Sequence, residues 1–197
     1  MSKGRLEAFS DGVIAILITI MVLQLTVPHG PDLSALIPLL PVFLSYLLSF
    51  IFLGIYWNNH HHVLQATKTV DGSVLWANMH LLFWLSLIPF GAAWMGQNHF
   101  APWPVALYGA VLLFAGVASY ILVRALIALH GQDSVLATAL GQDFKGKISV
   151  AINLVAIPVA FVSSLAACIM YVLIAIIWLI PDQRIEKNLL QKGPRPE

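Results

Sequence analysis

The sequence predicts an all-α membrane protein with six transmembrane helices per subunit, and three observations carry that reading. Of its 197 residues, 59% are hydrophobic and only 10% are charged. A soluble domain of ordinary composition carries about 25% charged residues, so lipid rather than water must cover most of this surface. Apolar stretches long enough to cross about 30 Å of hydrocarbon recur along the whole chain. The ten basic residues also sort to one side of a bilayer when the spans number six.

The spans follow in order. The first covers residues 10–28 and ends at Pro28 and the His29-Gly30-Pro31 turn. The second covers 38–60 and ends in Trp57-Asn58-Asn59-His60-His61-His62. The third and fourth cover 74–95 and 104–129. A charge-free run from Ile148 to Ile180 remains. As one helix it is about 50 Å long at 1.5 Å per residue, well beyond the hydrocarbon core. It reads instead as two short spans, 148–163 and 165–181, with a tight turn near Ser163-Ser164.

Charge supports that division. Lys3, Arg5, Lys68, Arg124, Lys145, Lys147, Arg184, Lys187, Lys192 and Arg195 then all fall on one side, while residues 28–37 and 96–103 carry no Lys or Arg. Cytoplasmic loops collect Lys and Arg, which predicts a multi-pass plasma-membrane protein with both termini cytoplasmic. The first eleven residues are polar and no small-residue cleavage site follows span 1, so that span is expected to stay in the mature protein rather than act as a cleaved signal. The whole chain, 1–197, is expected to be one transmembrane domain. The stretch from His130 to Lys147 is expected to be a loop with a short amphipathic helix, and the tail at 188–197 is expected to fray.

Several function classes are excluded. The net charge of +1 comes with no basic stripe for nucleic acid. One cysteine, Cys168, leaves no internal disulfide framework. There is no phosphate-cradling glycine loop, no nucleophile elbow, and no carbonyl-lined filter motif of the Thr-Val-Gly-Tyr-Gly type. No catalytic residues and no resident metal or cofactor are expected. The six tryptophans fall mostly near span ends, where interfacial anchoring accounts for them.

Polar groups inside a span are costly, so they mark candidate sites. Span 1 opens with Arg5, Glu7, Ser10 and Asp11. Arg5 and Phe9 lie one turn apart. Asp11 reads as a cap near the helix start, where the dipole favours it. Ile16, Ile20 and Leu23 follow at i, i+4, i+7 and form one narrow apolar stripe, with Thr19 beside it. Span 2 ends in His60, His61 and His62, and span 3 holds Asn78 and His80. Three adjacent histidines project about 100° apart on a helix and cannot share one metal, which prefers i, i+4 pairs. A hydrogen-bonded network tying Arg5, Ser10 and Asp11 to the end of span 2 is the better reading.

The run Arg5-Leu6-Glu7-Ala8-Phe9-Ser10-Asp11-Gly12-Val13-Ile14-Ala15-Ile16 resembles the signature of the transmembrane protein 175 family of potassium channels in its short prokaryotic form. Trp57 followed by His60-His61, and Asn78 with Pro89-Phe90, extend the resemblance. The family often has a basic residue after the paired histidines, where this chain has His62. The resemblance implies a homotetramer in the lipid bilayer, with a pore on the oligomer axis lined by helix 1 and no re-entrant filter. It implies a hydrophobic constriction and a threonine layer, at Ile16, Thr19, Ile20 and Leu23. It also implies a motif network of Arg5, Phe9, Ser10, Asp11, His60, His61 and Asn78.

The expected function is therefore a potassium-preferring, weakly selective cation channel, with K⁺ as permeant ion rather than cofactor and other monovalent cations passing less readily. Two other readings use the same residues. A small proton-coupled secondary transporter would relay protons through Asp11 and the His60–His62 cluster. A metal-dependent enzyme would use His60, His61, His62 and His80.

Overall fold

The computed structural model describes residues 2–131, 137 and 144–179. Among these, the chain forms α1 (Lys3–Leu23), a 3₁₀ segment (Leu33–Leu39), α2 (Leu40–Gln65), α3 (Gly72–Ser86), α4 (Ile88–Gln97), α5 (Pro102–His130), α6 (Phe144–Val159) and α7 (Ser164–Leu179). The 3₁₀ segment leads directly into α2, and only Leu87 separates α3 from α4, so the helices make six rods. Four of these rods are long and apolar enough to cross a membrane: Lys3–Leu23, Leu33–Gln65, Gly72–Gln97 and Pro102–His130. The loop at 132–136 and 138–143, the end of the sixth expected span and the tail at 188–197 lie outside the described residues.

Proline and glycine set most of the breaks. Prolines sit in the first turns of α2, α4 and α5, where a missing N–H costs nothing. Pro89 is what divides the third rod. It cannot donate to a carbonyl one turn back, so α3 ends at Ser86 and α4 restarts at Ile88. The long apolar run near the C-terminus divides at residues 160–163. There the Ser163 N–H donates to the Val159 carbonyl at 2.8 Å, and Ser163 Oγ accepts the Ala166 N–H at 3.3 Å. The resulting α6 and α7 have 16 residues each, which is about 24 Å of helix. Asp71 caps α3, accepting the Val74 N–H at 2.9 Å and the Ser73 hydroxyl at 2.7 Å. The Val74 bond first, and then the Ser73 bond, hold its carboxyl below the ordinary carboxylate range.

Helix α5 is the hub. It packs on α3, α4, α6 and α7, and α2 packs on α4 and α7. Two glycines permit these approaches. A Cβ on Gly109 would collide with the Tyr171 hydroxyl, which sits there to donate to the Val105 carbonyl at 3.1 Å. A Cβ on Gly96 would lie 2.7 Å from the Val42 Cα on α2 and would also strike Ser45 Oγ. A buried polar seam runs beside them: Tyr108 Oη and Ser49 Oγ are 2.9 Å apart, and Ser49 donates to the Ser45 carbonyl at 2.8 Å.

Helix α1 stands at the edge of this bundle, touching α2, α3 and α4. It begins at Lys3, so Ser10 and Asp11 lie well inside the helix and Asp11 is not its cap. The flanking residue is Ser2, whose side chain makes no capping bond. Packing explains the earlier start. Leu6 is buried one turn before Ser10, on the same face, and Lys3 pairs with Glu7 at 3.8 Å.

Candidate functional site

The face of α1 that meets the bundle carries Leu6, Ser10, Ile14, Leu17 and Met21, all buried. At 100° per residue these positions span an arc of roughly 80°. Ile16, Thr19, Ile20 and Leu23 occupy the opposite side, within an arc of about 100°. All four are exposed on the single subunit: Ile16 is 57%, Ile20 41% and Leu23 83% exposed. Arg5 and Phe9 fall on the same outward line, and both are exposed. The Thr19 hydroxyl donates inward to the Ile16 carbonyl at 2.8 Å, and lies 3.3 Å from the Ala15 carbonyl. Its proton is thus occupied, and the oxygen lone pairs remain for a group outside the helix.

Behind this face, α1, α2 and α3 meet at three buried polar side chains. His60 Nε2 lies 2.8 Å from Asn78 Oδ1, Asn78 Nδ2 donates to Ser10 Oγ at 3.0 Å, and Ser10 donates to the Leu6 carbonyl at 2.9 Å. Asn78 spends its amide protons on Ser10 and therefore accepts from His60, which places the imidazole proton on Nε2. Every bond in this chain points the same way, from α2 through α3 into α1. Ser10 and Asn78 are wholly buried. Removing one member leaves the others unpaired where water cannot reach.

The structure distributes the remaining expected network residues elsewhere. Asp11 accepts the Trp57 indole N–H at 2.9 Å, and His61 stacks on Trp57 with ring centroids 5.9 Å apart. Arg5 makes no side-chain hydrogen bond or ion pair among the described residues and stands with Phe9 on the outward face, apart from Ser10 and Asn78. A helix cannot direct Arg5 and Ser10 to one point, because five residues place them about 140° apart.

Trp57 has a partner that its sequence position does not announce. Its position near a span end matched interfacial anchoring, yet it is a hydrogen-bond donor to span 1. Its spacing of i, i+3 and i, i+4 from His60 and His61 is the available signal. Trp84 and Trp178 likewise donate, to His80 Nε2 at 2.9 Å and Ser149 Oγ at 2.8 Å. Trp76 and Trp103 remain largely exposed. Among the described residues, no three His, Cys, Asp or Glu side chains are grouped to hold a metal ion. His60 and His80 are each engaged by a different neighbour.

Comparison with known proteins bears on all of this. The profile of the family described as "Endosomal/lysosomal potassium channel TMEM175" matches residues 5–89. A Chryseobacterium protein named as a potassium channel is 53% identical over 189 residues, covering 96% of this chain and 98% of that one. The rat protein named "Endosomal/lysosomal proton channel TMEM175" is 38% identical over 86 residues, 36% of this chain and 17% of that one. The crystal structure of a lysosomal potassium-selective channel TMEM175 homolog from Chamaesiphon minutus superposes with a TM-score of 0.78 at 26% identity. That match covers 91% of this chain and 97% of the homolog.

Proposed function

The chain belongs to the TMEM175 family of ion channels, and we propose on that premise that it is a potassium channel whose pore is lined by the outward face of α1 on the axis of a homotetramer. The family is one of channels, so the metal-enzyme reading of the histidines falls away.

One observation carries the pore proposal: Ile16, Thr19, Ile20 and Leu23 share an unpartnered face of a helix whose other face is buried. Four copies around an axis would give an apolar ring at Ile16, narrow enough to strip water from a passing ion, with rings at Ile20 and Leu23 behind it. Such a constriction gates by dewetting, with no carbonyl cage. Potassium surrenders its hydration more readily than sodium, which yields modest selectivity. The free Thr19 lone pairs suit a partly dehydrated cation. Arg5 and Asp11 favour the same arrangement. A charge facing hydrocarbon costs about 2.5–3.5 kcal/mol at the centre of a span and less near its ends, whereas an axial pore or a subunit interface supplies water or partners.

The test is ion flux into liposomes holding the purified protein. Potassium uptake exceeding sodium uptake, with Ile16→Asn changing the rate or the preference, is the expected result. Unchanged flux and selectivity in Ile16→Asn would remove α1 from the pore. Flux that saturates with potassium concentration and requires a pH gradient would favour the proton-coupled transporter using Asp11 and the His60–His62 cluster.

A further inference from the structure

His130, the last residue of α5, is fastened to two elements at once. Its Nε2 accepts the backbone N–H of Lys68 at 3.2 Å and of Thr69 at 3.3 Å, while its Nδ1 lies 2.9 Å from the Leu126 carbonyl. Two N–H groups aimed at Nε2 require a lone pair there. The proton therefore sits on Nδ1 and is donated to Leu126. This arrangement exists only for the neutral imidazole, because a protonated ring is a donor at both nitrogens.

The segment it holds matters. Residues 66–71 join the end of α2 to the start of α3, and these two helices carry His60 and Asn78 of the buried network. Ala66 and Thr67 are secured within the end of α2, donating to the His62 and Leu64 carbonyls at 3.2 and 3.0 Å. The Lys68 and Thr69 amides have His130 instead. Among the described residues, the other titratable groups at the ends of the elements that meet this end of α5 are His62 on α2, Lys68 in the loop, Asp71 at the start of α3, Arg124 on α5, and Lys145 and Lys147 on α6. The Asp71 carboxylate is engaged by Ser73 and Val74.

We propose that His130 is a proton-operated latch: the neutral ring clasps the α2–α3 loop to α5, and protonation at Nε2 releases it. Histidine is the side chain suited to change charge between about pH 5 and 8. The added proton turns the acceptor into a donor facing two donors, so both bonds are lost together. Release frees the connection between the two helices that contribute His60 and Asn78, without touching either residue.

The test is amide hydrogen exchange, resolved residue by residue by NMR on the full chain in lipid nanodiscs and corrected for intrinsic rates, at pH 8 and pH 5. It reads the loop directly and does not depend on ion conduction. Protection of Lys68 and Thr69 is expected to fall about fivefold at pH 5, the factor that follows from losing one net hydrogen bond of ordinary strength. Ala66 and Thr67 should hold their protection. His130→Gln, whose amide oxygen accepts but does not titrate, should make the loop insensitive to pH. His130→Ala should leave it unprotected at both values. Equal wild-type protection at the two pH values, or undiminished protection in His130→Ala at pH 8, would overturn the latch.

Discussion

Trp57 donates its indole N–H to the Asp11 carboxylate at 2.9 Å, joining α2 to α1 beside the buried chain of Ser10, Asn78 and His60. The two contacts position α1 differently. The Asn78 chain holds its inward face. The Trp57 bond holds the flank next to Asp11 and so sets the rotation at which Ile16 and Leu23 point outward.

Trp57→Phe keeps the ring and its stacking surface but removes the donor. Because the pair is exposed on the single subunit, the expected loss of stability is about 1 kcal/mol. Asp11→Asn retains an acceptor oxygen and should lose less, while Asp11→Ala should match Trp57→Phe. Thermal unfolding in detergent checks the order.

Ser10, Asn78 and His60 act as one unit. Asn78→Ala is expected to cost about 1–3 kcal/mol by leaving two buried groups unpaired. Ser10→Ala should cost less, since it frees only one end of Asn78. A double-mutant cycle between Ser10→Ala and Asn78→Ala should return a coupling of about 0.6 kcal/mol, the average for hydrogen bonds between membrane helices, and no more than about 1.7 kcal/mol. A coupling near zero would show that the two side chains do not support each other.

Gly109→Ala should destabilise the fold by about 1–3 kcal/mol through overpacking, because its methyl group meets the Tyr171 ring. Combining it with Tyr171→Leu should recover part of that loss. Additive losses in the double variant would place the strain elsewhere.

Thr19→Val preserves shape and removes the oxygen. Under the pore proposal the ratio of potassium to sodium permeability falls, and Thr19→Ser retains it. Reversal potentials in bi-ionic solutions measure the ratio, and an unchanged value in Thr19→Val would take the hydroxyl out of selectivity.

Composition and proline placement made the helical architecture legible, since lipid exposure and a missing N–H act locally on the sequence. The third rod kept its length but broke at Leu87, because Pro89 interrupts the hydrogen-bond ladder without reversing the chain. The orientation of α1 was less legible. The helix is apolar on nearly all sides, so no periodicity separates the face that meets α2 and α3 from the one that does not. The stripe of Ile16, Ile20 and Leu23 was visible as spacing, but only packing shows it to be unpartnered. Arg5, Phe9, Ser10 and Asp11 looked like one cluster because they are near neighbours in sequence. Helical rotation sends Ser10 into the core, Asp11 to Trp57, and Arg5 with Phe9 to the outward face. The role of Trp57 was hidden because an interfacial tryptophan and one that donates to a carboxylate on a neighbouring helix have the same sequence position.

Under the pore proposal the outward face of α1 meets the permeating ion, and one measurement addresses this directly. In a Cys168→Ala background, which removes the chain's single native cysteine, Ile16→Cys and Leu17→Cys are compared for block of potassium flux by a small thiol-reactive cation. The prediction is rapid block of Ile16→Cys and none of Leu17→Cys, whose side chain is buried against the bundle. Block of Leu17→Cys with Ile16→Cys unaffected would contradict the assignment of the pore to the outward face of α1.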